Sequence, residues 1–136
     1  MASASEIVVT LPSARRVDAQ VGKHVVHTDQ SVEDGGEDAA PSPFQLFLAA
    51  IGTCAGVFVQ GFCAKREISS EGIRIVERSR VNEAGALVAV DLEIQVPPSF
   101  PEKYREALVR VAGKCSVKQA IQAQPAFEVK TVVAGT

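Results

Sequence analysis

The chain has 136 residues and a formal charge of −2, with 46% hydrophobic and 22% charged residues. A chain of that length buries about two-thirds of its extended surface and reads as one domain spanning residues 1–136. The slightly acidic balance leaves no basic footprint for nucleic acid or for an anionic membrane surface.

Ile7 to Leu11 reads as a short strand ended by Pro12, and Val17, Ala19 and Val21 alternate with Asp18 and Gln20 as a half-buried second strand. Gly22-Lys23 turns the chain into a third strand, His24 to Thr28. Asp29 to Ala40 carries five carboxylates and no base, and reads as a solvated linker. Ser42-Pro43-Phe44-Gln45 is a helix start: Ser42 caps, Pro43 suits the first helical position and Gln45 completes a capping box. The helix is expected to run to about Arg66, roughly 35 Å. Phe47, Ala50, Cys54, Val57 (or Phe58) and Gly61 share one stripe, and Gly52 and Gly56 suggest tight packing against another helix.

A hairpin follows. Ile73 to Val81 forms one arm, Asn82 to Gly85 the turn, and Val88, Val90, Leu92, Ile94 and Val96 the inward positions of the other arm. Ser99 and Glu102 suggest a second capping box, opening a helix with the stripe Tyr104, Leu108, Val111 and Cys115. Gly113 breaks that helix, and Ser116 to Gln119 forms a third capping box. Phe127, Val129, Thr131 and Val133 alternate with polar residues as a closing strand. The order is an α+β chain with antiparallel hairpins.

No charged residue occurs from Pro41 to Ala64, a length sufficient to cross a bilayer. Gln45, Gln60, three glycines and the lack of a second span or flanking basic cluster point instead to the buried centre of a globular protein or dimer. The three cysteines are an odd number, and the first ten residues lack the basic-then-apolar order of a secretory signal. Free thiols in a reducing, cytoplasmic setting are expected.

The chemistry rests on those thiols. Cys54 lies some ten residues into its helix, too deep for the helix N-terminus to lower its pKa. It is either a small core residue or a nucleophile to which folding or a partner subunit brings a cation. Cys115, between Lys114 and the cap candidate Ser116, is expected to favour its thiolate, or else to pack half-buried at a helix break. Cys63 is nine residues beyond Cys54, on the opposite face and roughly 13 Å along the axis, and reads as structural. His24 and His27 fall on opposite faces of a strand, and there is no Cys-x-x-Cys pair, glycine-rich phosphate loop or serine elbow. No metal and no cofactor are expected.

Asp29-Gln30, Gly35-Gly36 and the run from Pro41 to Cys54 resemble the OsmC family, the osmotically inducible and organic-hydroperoxide-resistance proteins. The likeness continues from Gly113 to Ile121, around the family's second cysteine. What the resemblance implies is an intertwined homodimer around two long central helices, with active sites at the subunit boundary. It implies catalytic roles for Cys54 and Cys115: the first attacks a small organic hydroperoxide and becomes a sulfenic acid, the second closes a disulfide, and a dithiol reductant reopens it. The family's reductases also hold an arginine against the first sulfur through a glutamate just after the helix-opening proline. Phe44 stands at that position here, as an apolar pocket lip, and Lys23, Arg15 and Arg16 are the candidate thiolate-stabilising cations. The alternative is a non-catalytic relative that binds a small hydrophobic ligand or thiol metabolite at the dimer interface.

Overall fold

A computed structural model describes residues 5–135. The chain divides into two compact units, residues 1–49 and 50–136, with the boundary inside the long helix.

In the first unit, β1 (Val8–Ser13), β2 (Arg16–Val21) and β3 (His24–Thr28) form an antiparallel sheet in chain order. β1 runs on through Pro12, where a break was expected. β1 is an edge strand, where a missing N–H is tolerated, and its pairing register shifts between Thr10 and Ser13. The acidic segment after β3 is no solvated linker. Asp29, 1% exposed, accepts hydrogen bonds from the backbone N–H groups of Gln30, Glu37 and Ala39 at 2.8, 3.2 and 3.1 Å. Those donors, led by Ala39, outweigh desolvation and lower its pKa, so the loop is wound around a buried carboxylate. Gly36 is needed there, because a Cβ would collide with the Gln30 carbonyl and the Asp29 carboxylate.

Helix α1 (Pro43–Lys65) starts as its sequence dictates. Ser42 N–H donates to Gln45 Oε1 at 2.9 Å and Gln45 N–H to Ser42 Oγ at 3.2 Å, a closed capping box. By length and composition the helix could cross a membrane, yet Ile51, Ala55, Val59, Phe62 and Cys63 are buried within the chain. This buried stripe differs from the one expected: Phe47 and Val57 are 37% and 64% exposed, and Cys54 sits at the edge, partly exposed. The wholly apolar helix gives periodicity no contrast with which to choose a face.

In the second unit, β4 (Arg74–Val81) and β5 (Leu87–Gln95) form an antiparallel hairpin closed by the Asn82–Gly85 turn, in which Gly85 takes φ +83°. Ile73, Ile75, Leu92, Ile94 and Val96 pack on the core of Ala55, Val59, Phe62, Cys63, Phe100, Leu108 and Ala112. Val88, expected among the inward residues, is 58% exposed. The expected helix–helix packing at Gly52 and Gly56 is also replaced, since side chains of β4, Glu77 and Ile75, approach these glycines.

No side-chain cap forms at the Ser99–Glu102 segment. A 3-10 turn, Glu102–Tyr104, precedes α2 (Arg105–Ala112), and Gly113 closes that helix as expected. Helix α3 (Ser116–Gln122) is capped by Cys115, one residue earlier than the expected Ser116 box. The closing strand does not form, and residues 124–135 adopt neither helix nor strand. Phe127, Val129 and Val133 stand 85–94% exposed. Alternation marks a surface able to pair, but a strand needs an edge to pair with.

Candidate active site

Two segments 61 positions apart meet where Cys54 of α1 faces the elbow between α2 and α3. The elbow follows from local chemistry. Gly113 ends α2, and Cys115 takes an extended backbone (φ −51°, ψ 129°) that directs its side chain back at the start of α3. Its sulfur accepts the Lys118 N–H at 3.5 Å, in the way a serine or aspartate cap would, and lies 4.0 Å from the Ile51 carbonyl of α1. Ser116, relieved of capping, places its hydroxyl oxygen 3.6 Å from Cys54 Sγ.

The two sulfurs are tuned in opposite directions. Cys54 is lowered to about 7, first by the Cys115 thiol donating to it, then by the Val117 N–H, the Ser116 hydroxyl and the Ser116 N–H. Cys115 is raised, first by its own burial and then by donating its hydrogen bond to Cys54. The pair therefore loses its first proton at Cys54, and roughly half of that sulfur is thiolate at neutral pH. Each residue takes one of its two expected readings, Cys54 the activated one and Cys115 the packed one. Cys115 sits at a helix start near lysines, but it is 2% exposed, and desolvation outweighs the N–H that it accepts. Cys54 is too deep in its own helix to feel that helix's N-terminus, but the start of another helix is folded against it.

Cys63 stays structural. It is 1% exposed and its pKa is raised by burial, against the lowering effect of Arg66. Arg66 lies 3.7 Å over the Phe62 ring and hydrogen-bonds the Phe62 carbonyl, which holds the end of α1.

The candidate cations occupy the first unit. Arg16 pairs with Glu37 at 3.0 Å and stands 3.8 Å from Asp29, so its guanidinium ties β2 to the acidic loop. The Arg15 guanidinium lies over Gly35 of the same loop, and Lys23 sits in the β2–β3 turn. The groups that lower the Cys54 pKa are hydrogen-bond donors of residues 115–117. Phe44 is 51% exposed, pairs with the Phe47 ring at 5.7 Å, and lines an open cleft with Gln30, Asp34 and Asp38.

Sequence reasoning missed three polar residues. Ser116 was read only as a cap. Asp29 was read as one of five solvated carboxylates. Glu77 lies on the inward face of β4 in step with Ile73 and Ile75, and that period of two was the signal. Its carboxyl packs on Gly52, burial raises its pKa, and among the described residues its Oε2 is buried without a hydrogen-bond partner.

The OsmC-like protein family model matches residues 35–130, so the chain belongs to the OsmC family. Its α+β architecture of antiparallel sheets and a long helix is shared with solved structures of that family. A protein of Psychrobacter arcticus 273-4, assigned to osmotic stress and detoxification responses, superposes with a TM-score of 0.74 at 18% identity, over 88% of this chain and 90% of that one. An organic hydroperoxide resistance protein OsmC from Legionella pneumophila gives 0.59 at 21% identity, over 89% and 92%. An organic hydroperoxide resistance protein from Elizabethkingia anophelis, with thiocyanate bound, gives 0.57 at 16% identity, over 91% and 93%. No curated protein matches the sequence.

The tuning has a direct readout in alkylation by iodoacetamide, followed residue by residue with peptide mass mapping. Cys54 should react with a midpoint near pH 7, because its folded pKa lies there and reactivity rises as the thiolate forms. Cys115 should lag far behind at the same pH, because its own shift is upward. Equal rates at the two sulfurs, or a Cys54 midpoint in the ordinary thiol range, would contradict the assignment.

Proposed function

We propose that this protein reduces small organic hydroperoxides through a two-thiol cycle at Cys54 and Cys115. The observation that carries this reading is the meeting of the two cysteine segments: the α2–α3 elbow brings Ser116 Oγ to 3.6 Å from Cys54 Sγ and the buried Cys115 sulfur to 4.0 Å from the Ile51 carbonyl of α1. The two thiols shift in opposite directions there. Membership of a family that includes hydroperoxide resistance proteins supports it.

In this cycle the Cys54 thiolate attacks one peroxide oxygen. The S–O bond forms, the O–O bond breaks, and the alcohol leaves after taking up a proton. The Cys115 sulfur then attacks the sulfenic sulfur, forming the S–S bond and releasing water. A dithiol reductant restores both thiols by exchange, in the reducing cytoplasm where such reductants act. The opposed shifts suit the two steps: Cys54 forms its thiolate the more readily, and Cys115 holds its proton the longer.

We propose further that the working unit is a homodimer. α1 leaves Phe44, Phe47 and Val57 exposed, β1 leaves Val8, Val9 and Leu11 exposed, and the unpaired tail adds Phe127, Val129, Val132 and Val133. Apolar surface of this extent marks an interface. A second copy of the chain would supply both the cover for the helix and an edge for the tail. A ligand-binding reading has one observation in its favour, the exposed Phe44–Phe47 ring pair beside a cleft. It calls for a retained apolar adduct, and for thiols that survive peroxide.

Turnover of an alkyl hydroperoxide with excess dithiol tests the cycle. Cys54→Ser should lower the rate by at least roughly 1,000-fold, as removal of a nucleophile does. Cys115→Ser should consume about one equivalent and then stall as sulfenic acid. A Cys54→Ser protein that consumes peroxide at the wild-type rate would end the proposal. Light scattering on the same wild-type sample should give twice the chain mass, and a particle of one chain mass would refute the dimer.

A further inference from the structure

The geometry points to Ser116 as a catalytic residue, whose hydroxyl donates a hydrogen bond to the Cys54 sulfur and holds it as the attacking thiolate. The inference rests on the reading of Cys54 as the nucleophile.

Three observations carry it. First, the Ser116 oxygen lies 3.6 Å from Cys54 Sγ, within hydrogen-bond range for sulfur. Either atom could donate while both are protonated, but a thiolate has no proton, so in the reactive state the hydroxyl is the donor. Second, the fold does not use this side chain as a cap. The α3 cap is Cys115, whose sulfur takes the Lys118 N–H, and Ser116 is the first residue of the helix proper. Third, Ser116 is exposed while Cys54 is half-buried, so the hydroxyl belongs to a solvent-reaching residue beside the sulfur.

The charged groups of the surrounding elements have other partners. The Lys118 ammonium donates to the Gly113 carbonyl at 3.4 Å, and Glu77 of β4 packs on Gly52. The hydroxyl is thus a neutral donor. It stabilises the anion by a hydrogen bond alone, and it stays in place when the sulfur carries oxygen. In the attack step the S–O bond forms and the O–O bond breaks, and the hydrogen bond from Ser116 passes from the sulfur, which loses its negative charge, to the oxygen now bound to it.

The test measures the thiol first and turnover second, so that the two readings can fail separately. Ser116→Ala should move the Cys54 alkylation midpoint upward and slow alkylation at pH 7 by about three- to tenfold, the range of a half to one pKa unit. Ser116→Thr, which keeps the hydroxyl, should restore both. Circular dichroism and the thermal midpoint should be unchanged in either variant, because the cap belongs to Cys115. An unchanged Cys54 midpoint in folded Ser116→Ala would overturn the role of the hydroxyl, even if wild type turns over peroxide. A shifted midpoint in Ser116→Ala, restored by Ser116→Thr, would sustain it even if wild type fails to turn over peroxide, and that failure would refute only the hydroperoxide reading.

Discussion

Burial of Cys115 beside Cys54 shifts two chemically identical groups in opposite directions, and the remaining features of the site either strengthen that difference or protect it. An isolated thiol at neutral pH is almost wholly protonated. Placing a second thiol against it adds a donor for the anion, but only if the second thiol keeps its own proton. Burial ensures this at Cys115, because desolvation penalises the charged form of a group cut off from water. Cys54, partly exposed, escapes most of that penalty and receives donors from the backbone and side chain of residues 115–117.

The core holds the arrangement in place. α1 carries two cysteines nine residues apart, and their fates show that environment rather than residue type decides reactivity. Cys63 faces the packed cluster with Phe62, Phe100 and Leu108 and is raised by burial, whereas Cys54 faces the elbow and is lowered. Leu108, 1% exposed, anchors α2 in that cluster, and burying such a side chain contributes about 1.5–3 kcal/mol. Because α2 leads directly into the elbow, the packing of Leu108 and Ala112 fixes where Cys115 and Ser116 stand. The inward-facing Glu77 adds a constraint on the same helix: Gly52 must lack a side chain for the carboxyl to fit.

Much of this was legible in the residues. The α1 capping box, the Asn82–Gly85 turn and the break at Gly113 are local chemistry, and each formed where its residues demanded. The two cysteine segments marked the family, and the structure brings them together. The resemblance gave Cys54 the attacking role, but the physical cause of its tuning was not legible in the residues. The lysines near Cys115 suggested an activated thiol and its apolar stripe a packed one, and only the fold, with Ile51 against that sulfur, decides for burial. The buried face of α1 was hidden too, since a helix apolar on every side offers no amphipathic contrast. The strand expected at residues 127–133 has the right alternation, yet strand formation depends on a pairing partner that alternation does not provide.

In the proposed dimer a second chain would cover that unpaired tail and the exposed apolar side chains of α1 and β1, while the Cys54 and Cys115 segments already meet within one chain. The account therefore makes a strict demand on connectivity. The most direct measurement is peptide mass mapping of non-reduced protein after one equivalent of an organic hydroperoxide. The predicted product is a Cys54–Cys115 disulfide within one chain, with Cys63 recovered as a free thiol. A disulfide involving Cys63, or Cys54 carried to sulfinic acid while Cys115 remains free, would contradict it.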